Sequence, residues 1–175
     1  MVRKNVRRRR ARASRGAARS TNTLTISGTE FLCDVTGNPS TVTNVNLIPG
    51  DSKLPTLDAM AKLYEHYQIV RLVVHYRSAA STQTSGIVVG AVNWDKAHKF
   101  SSKTDLYRAS PRISTVLWKD ASVTVPPNLA RVWNWQKCKT EGIGWSWTAD
   151  GSGTHGAFWV TYTVRLAGPT NDSTA

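Results

Sequence analysis

The sequence lacks several features that mark common protein classes. Only two of its 175 residues are cysteines, Cys33 and Cys138, and they lie far apart. Two such residues cannot form a disulfide framework, so we expect two reduced, buried thiols in a cytosolic product. No stretch approaches the ~20 apolar residues that cross a bilayer, and the basic N-terminus lacks the apolar core of a secretory signal. We therefore expect a soluble protein made without export.

Acidic residues are missing from the start of the chain, where the first one is Glu30. The first twenty residues instead carry nine basic side chains: Arg3, Lys4, Arg7, Arg8, Arg9, Arg10, Arg12, Arg15 and Arg19. The rest of the chain holds the other 14 of the 23 basic residues against all 11 acidic ones, so the net charge of +12 divides into +9 and +3. A short basic segment is thus attached to a nearly neutral body.

This segment, residues 1–22 and called the arm below, also lacks aromatic and large aliphatic residues apart from Met1. It cannot bury apolar surface and its charges repel, so we expect it to be disordered. Arginine binds phosphate oxygens with a planar fork of donors, which favours a nucleic-acid-binding arm. Nuclear import is a second candidate use of the same charges. A mitochondrial presequence needs an apolar helix face, for which Val2 and Val6 are almost the only candidates.

Beyond the arm, β-branched and aromatic residues alternate with polar ones in short runs, a pattern typical of an all-β sandwich or barrel. In Ile69 to Arg77, the residues Val70, Leu72, Val74 and Tyr76 form an apolar face and the others a mixed face. Two more clear strands are Ala157 to Leu166, with one apolar face, and Ile87 to Trp94, apolar on both. Weaker strands are predicted for Thr23 to Cys33, Thr41 to Ile48, Ile113 to Trp118, Ala121 to Val125, Arg131 to Cys138 and Ile143 to Thr148.

These nine segments fit eight strands in two four-stranded sheets plus one edge piece, and a body of this size folds as one domain. Apolar spacing predicts a helix over Thr56 to Tyr67, with Pro55 before it, and a second short helix over Ser101 to Tyr107. The predicted domains are the arm at 1–22, a sandwich body at 23–168 and a flexible tail at 169–175.

No residue pattern indicates catalysis or a metal site. The four histidines, His66, His75, His98 and His155, are far apart, and the acids form no pair in sequence. Gly151, Gly153 and Gly156 match a dinucleotide-binding pattern, but a strand follows where a helix is needed, so a hairpin loop is expected. The run Gly144 to Thr148 lacks the closing glycine of a nucleophile elbow. The sequence therefore predicts that the protein is not an enzyme.

Seven tryptophans are many for this length, and two pairs share a strand face: Trp133 with Trp135, and Trp145 with Trp147. Such pairs can stack nucleobases. They can equally fill a sandwich core or an intersubunit contact, which is the interpretation we favour.

The central block from Leu57 to Asp95 resembles the coat proteins of small icosahedral positive-strand RNA viruses, of the tombusvirus, sobemovirus and luteovirus kind. The shared features are a short helix ending in Tyr64 and Tyr67, a strand, the loop Ser78 to Gly86, and a strand ending near Asp95. The last strand, Gly156 to Pro169, is similar to that of the family. The resemblance weakens between Lys96 and Thr154.

This resemblance implies an eight-stranded antiparallel jelly roll with one or two short helices that assembles with copies of itself around viral single-stranded RNA. It implies a virion protein, assembled in host cytoplasm, with no membrane or small-molecule substrate, and it does not decide between a T=1 and a T=3 shell. The chain is short for the group, as expected of a satellite virus or a compact relative. Arg71 and Arg77 would add to RNA binding or to a subunit contact, and Asp51, Asp58 and Asp95 are weak candidates for intersubunit calcium.

The alternative function is a cellular RNA-binding module with a basic tail and a β-barrel body, ribosome-associated or nuclear. Such a protein would be a monomer of ~20 kDa rather than part of a particle.

Overall fold

The structure, a computed structural model, describes residues 23–95, 99–126, 134–140 and 142–169. These residues contain ten strands and two short helices. In chain order they are β1 (Thr23–Gly37), β2 (Thr43–Ile48), β3 (Asp51–Ser52), α1 (Pro55–Ala61), β4 (Tyr64–Ser78), β5 (Ile87–Asn93), α2 (Lys103–Arg108), β6 (Arg112–Val116), β7 (Ala121–Thr124), β8 (Gln136–Lys137), β9 (Gly144–Ala149) and β10 (Gly153–Pro169).

The strands form two antiparallel sheets. The first sheet has the order β1-β10-β4-β7, with β8 paired to one end of β4, and the second has the order β3-β2-β9-β5-β6. Without the two-residue strands β3 and β8, each sheet has four strands, and every connection between them except that from β5 to β6 crosses from one sheet to the other. This is the predicted eight-stranded jelly roll, so the sequence-based fold class is confirmed.

The core lies between the sheets and is built by alternation along the strands. The predicted apolar face of β10 is fully buried: Phe158, Val160, Tyr162, Val164 and Leu166. From the second sheet, the Trp145 ring meets Phe158 edge to face at 5.3 Å and Trp147 lies 5.7 Å from the same ring. The interpretation of the Trp145 and Trp147 pair as core residues is therefore confirmed.

The predicted face of β4 needs one correction. Ile69 is buried at 2% exposure, whereas Val70, assigned to the apolar face, is 39% exposed. The pairing with β10 shifts between Thr163 and Val164, so Val70 is an extra residue on its strand. Such a β-bulge reverses the alternation on one side of it, which no count of period two could anticipate.

The outer face of the second sheet is apolar at β5, where α2 covers it. Leu106 of α2 packs on Val89 and Ala91 of β5 in a small core of its own. The helix is fixed at its start by a capping box in which Ser102 and Asp105 exchange hydrogen bonds. This packing explains why β5 is apolar on both faces, and α2 confirms the second predicted helix within one or two residues.

The first predicted helix is wrong at its C-terminal end. Helix α1 ends at Ala61, and Tyr64 and Tyr67 belong to β4. Tyr64 pairs with Pro169 at the end of β10, and the Tyr67 hydroxyl donates to Gln136 Oε1 at 2.7 Å. Pairing with β10 outweighs the helical spacing of these tyrosines, because local preference is weaker than tertiary context.

Two further interpretations change. The segment containing Gly151 and Gly153 is not a hairpin loop, since β9 and β10 lie in different sheets and the segment crosses between them. Of the strand predicted for Arg131 to Cys138, only Gln136–Lys137 is a strand among the described residues, and 131–133 lie outside them.

Within the described residues, neither helix is long and apolar enough to cross a membrane.

Candidate nucleic-acid interface

The nine basic residues of the arm, from Arg3 to Arg19, lie outside the described residues. The point where the arm joins the body is described, because β1 begins at Thr23, directly after it. Thr23 pairs with Ala167, close to the last residues of β10 and the first of β4. The arm and the C-terminal tail therefore join the body at one end of the first sheet, called the arm end below.

Basic side chains surround the arm end. A shallow cavity of about 370 Å³ is lined by eight residues: Lys62, Tyr64, Glu65, His66, Lys137, Cys138, Lys139 and Thr140. Three of them are lysines and one is a carboxylate. The body thus carries positive charge where the arm begins, although its overall charge is small.

The outer face of the first sheet, turned away from the core, holds both arginines predicted from β4. Arg71 and Arg77 are exposed, and they face Thr163 and Ala157 of β10 across the ladder. The structure adds Arg165, which is exposed on β10 and pairs with Gln68. The sequence reasoning missed Arg165, although its place between Val164 and Leu166 in an alternating strand was a sufficient indication.

His75 lies between the two β4 arginines on this face. Its Nε2 is 3.0 Å from the Thr161 hydroxyl. Partial burial, and then the charges of Arg77 and Arg71, lower the pKa of His75 below its usual value. His75 is therefore neutral at pH 7, and the permanent positive charge of this face comes from the arginines.

Phe31, Trp159 and Arg77 form a cluster at the opposite end of the same face from the arm. Phe31 and Trp159 are partners in the β1–β10 ladder, and their rings meet edge to face at 5.7 Å. The Arg77 guanidinium lies 5.1 Å from the centre of the Trp159 ring, within cation–π range. Phe31 remains 42% exposed. The cluster was not predicted, because it depends on the β1–β10 register.

The aspartates predicted as calcium ligands make contacts within the chain. Asp58 Oδ1 accepts hydrogen bonds from the Ser52 hydroxyl at 2.6 Å and the Gly50 amide at 2.8 Å, and Asp51 Oδ2 accepts from Asn46 Nδ2 at 2.9 Å. Asp95 follows β5 and donates its backbone amide to Asn93. Among the described residues, no three His, Cys, Asp or Glu side chains come close enough to hold a metal ion.

Asp51 and Asn93 line a polar cavity of about 440 Å³ on the second sheet, together with Lys53 and Lys99. Two lysines beside one carboxylate do not favour a cation there. Calcium at Asp51, Asp58 and Asp95 stays an expectation from the resemblance.

The described histidines and cysteines lie in different parts of the fold. His66 and His75 are on β4, His155 is buried at the start of β10, and His98 lies outside the described residues. Cys33 and Cys138 are free thiols, and burial raises the pKa of each to about 11.

Several other apolar side chains are also exposed. Besides Phe31 and Val70, the large exposed ones are Leu63, Tyr107, Trp118 and Trp135. Trp135 is 43% exposed, and its predicted partner Trp133 lies outside the described residues. Single exposed residues are common, but four with large side chains suit a protein that forms contacts with copies of itself.

Comparison with protein-family models decides among the functions considered so far. The model described as luteovirus coat protein matches residues 30–169. The chain belongs to the luteovirus coat protein family. The match runs from the middle of β1 to the end of β10, and it includes the segment from Lys96 to Thr154 where the resemblance was weak. A search of curated protein sequences found no match.

Solved capsid structures share the fold. The chain superposes on tobacco necrosis virus with a TM-score of 0.70, at 18% identity, covering 88% of this chain and 100% of that one. For the semi-empty particle of Macrobrachium rosenbergii nodavirus the TM-score is 0.74, at 9% identity, covering 97% and 94%. Red clover necrotic mosaic virus gives 0.70 at 20% identity, covering 83% of this chain but 56% of that one.

The family assignment confirms the main functional prediction. This coat protein is a structural, non-enzymatic component of the virion, and it assembles in many copies into an icosahedral shell. The alternative of a cellular RNA-binding module is wrong, because a coat-protein family model covers the body.

Proposed function

We propose that this coat protein packages viral single-stranded RNA through its arm while the jelly-roll body encloses it. The observation that carries the proposal is the division of charge, with nine basic residues and no acid in the first twenty positions. A polyanion inside the shell needs a counter-charge, and arginine supplies it with bidentate phosphate contacts. The body, near neutrality, remains suited to contacts between copies.

The basic surroundings of the arm end support this arrangement. Lys62, Lys137 and Lys139 line the cavity beside the start of β4, at the same end of the sheet where the arm joins at Thr23. Arg71 and Arg77 supplement the arm from the outer face. Assembly takes place in the host cytoplasm, where the cysteines stay reduced, and the arm also serves as a nuclear import sequence.

Binding by the arm is electrostatic and nearly independent of RNA sequence. If all nine side chains contact phosphates of a single strand, the logarithm of the binding constant falls with the logarithm of salt concentration with a slope of about −6. Protein–protein contacts can then stay individually weak, because RNA brings many subunits together.

Deleting residues 1–19 tests the proposal. We expect a folded body that forms empty or smaller shells, or none, with RNA content reduced to background as measured by the ratio of ultraviolet absorbances of purified particles. A matched control deletes the tail after Pro169, which has no basic residue. Normal RNA content in particles of the arm-deleted protein would overturn the proposal.

A further inference from the structure

We propose that the outer face of the first sheet is a second binding surface for single-stranded RNA, where bases stack on the Phe31–Trp159–Arg77 cluster and phosphates bind Arg71 and Arg165. The inference rests on the proposed function, because the arm would bring RNA to this face. It assigns a role to exposed groups that neither the core nor the arm uses.

The aromatic end of the face is preorganised for stacking. Trp159 is held between Phe31, edge to face at 5.7 Å, and the Arg77 guanidinium at 5.1 Å. The Phe31 ring and the planar guanidinium both present flat surfaces beside solvent, since Phe31 is 42% exposed and Arg77 is exposed. Bases stack on aromatic rings and on guanidinium planes with little dependence on sequence.

Hydroxyl groups cover the middle of the face. Ser27 pairs with Thr163 through their hydroxyls at 2.9 Å, and Thr29 pairs with Thr161 at 2.8 Å. Each hydroxyl pair retains accepting capacity for a nucleic-acid backbone. The His75 ring lies beside them, with Nε2 3.0 Å from the Thr161 hydroxyl, and Val70 is exposed on the neighbouring strand.

The positive charge lies towards the arm end. Arg71 faces Thr163, and Arg165 is two residues farther along β10. From Arg165 to Trp159 the strand advances six residues, about 20 Å, so one short run of nucleotides can reach both ends. The acids near this face are Asp34, which faces Ala157, and Asp120, which accepts the Ser78 amide at 2.7 Å; both lie at the aromatic end.

Charge and composition favour RNA over a second copy of the chain as the occupant. The cores of protein–protein contacts are depleted in charged residues, whereas this face combines three arginines with rows of hydroxyls. Sheet faces that carry aromatic and basic residues are a recurring way to bind single strands. The exposed side chains Leu63, Tyr107 and Trp118 lie outside the strands of this sheet and suit contacts between copies.

Photocrosslinking of the full-length protein tests the inference. Oligouridylate carrying a photoreactive uridine is bound at low salt and irradiated, and the adducts are mapped by mass spectrometry. The test variants are Phe31→Leu and Arg165→Gln. The matched controls are Trp118→Leu, whose ring has the same 42% exposure in the β6–β7 turn, and Arg108→Gln on α2.

We expect adducts on Phe31 or Trp159 in addition to those on the arm. Phe31→Leu lowers the adducts at the cluster roughly fivefold or more, as expected for the loss of one stacked base, and leaves the adducts on the arm unchanged. The controls change neither. Adducts confined to the arm would overturn the inference without affecting the proposed role of the arm.

Particle assembly tests the alternative that a second copy of the chain, rather than RNA, binds this face. If this face instead binds a second copy, Phe31→Leu and Arg165→Gln lower particle yield, measured by negative-stain microscopy, and the cluster gives no adducts; this result would also overturn the inference. If arm deletion leaves RNA content normal while Phe31→Leu reduces it, the proposed role of the arm is wrong and the sheet face is the surface that binds RNA.

Discussion

Tyr162 on β10 donates its hydroxyl hydrogen to the carboxylate of Glu30 on β1. The same carboxylate accepts the backbone amides of Thr56 at 2.9 Å and Leu57 at 3.3 Å, at the start of α1. One side chain thus joins two neighbouring strands to the helix between β3 and β4. Two of its donors are orphan amides that every helix start leaves without an intrahelical partner.

Removing this carboxylate will destabilise the subunit. We expect Glu30→Ala to lower the free energy of unfolding by about 2 kcal/mol, because three donors lose a charged acceptor. Glu30→Gln keeps one acceptor oxygen and costs less, about 1 kcal/mol. Urea unfolding of dissociated subunits measures both, with Asp95→Ala as the control. An alanine variant as stable as the wild type would show that the contact is not structural.

Two buried tyrosines, Tyr162 and Tyr76, make the folding stability depend on pH in the alkaline range. Burial, followed by the hydrogen bond and charge of Glu30, raises the pKa of Tyr162, and burial raises the pKa of Tyr76. The unfolded chain loses these protons near pH 10 while the folded chain keeps them, so stability falls as pH rises above about 10. Tyrosinate absorbance should show Tyr162 and Tyr76 ionising at a higher pH in the folded protein than in the unfolded chain. Titration of all five tyrosines together near pH 10, in folded protein, would contradict this expectation.

The two cysteines should be unreactive in the folded subunit. Burial raises the pKa of Cys33 and of Cys138 to about 11, so at pH 8 only about one thiol in a thousand is ionised. We expect slow modification by a disulfide reagent in native subunits and fast modification in urea. Single Cys→Ser variants assign each rate. Rapid native labelling at both positions would show that the thiols are accessible.

Gly90 in β5 lies against the Trp145 ring, and a Cβ there would overlap it. Gly90→Ala should therefore destabilise the core by about 2 kcal/mol through overpacking. Trp145→Phe in the same chain makes room for the methyl group, so the double variant should lose less than the sum of the two single changes. Strictly additive losses in urea unfolding would contradict a direct clash.

The parts of this structure that depend on alternation could be predicted from sequence, and those that depend on register could not. The inward row of β10 from Phe158 to Leu166 follows from period two alone. The bulge at Val70 and the meeting of Phe31 with Trp159 depend on how β10 aligns with its neighbours. Likewise, Glu30 is an ordinary acid in the sequence, and only the fold brings it to the start of α1.

The site was predictable in composition but not in arrangement. Counting charges was enough to separate the arm from the body. Arg71 was found on the exposed side of its strand, as the alternation predicted, although the bulge beside it moved Val70 to the same side. The basic residues at the arm end come from segments far apart in sequence, such as Lys62 and Lys137, and no local pattern joins them.

RNA content of particles as a function of arm charge tests the central claim most directly. Replacing three, six or all nine basic residues of the arm with glutamine keeps its length and removes its charge in steps. We predict that the nucleotides packaged per subunit fall with each step, to background at the last, while the body stays folded. Unchanged RNA content in particles of the fully neutralised arm would contradict the account.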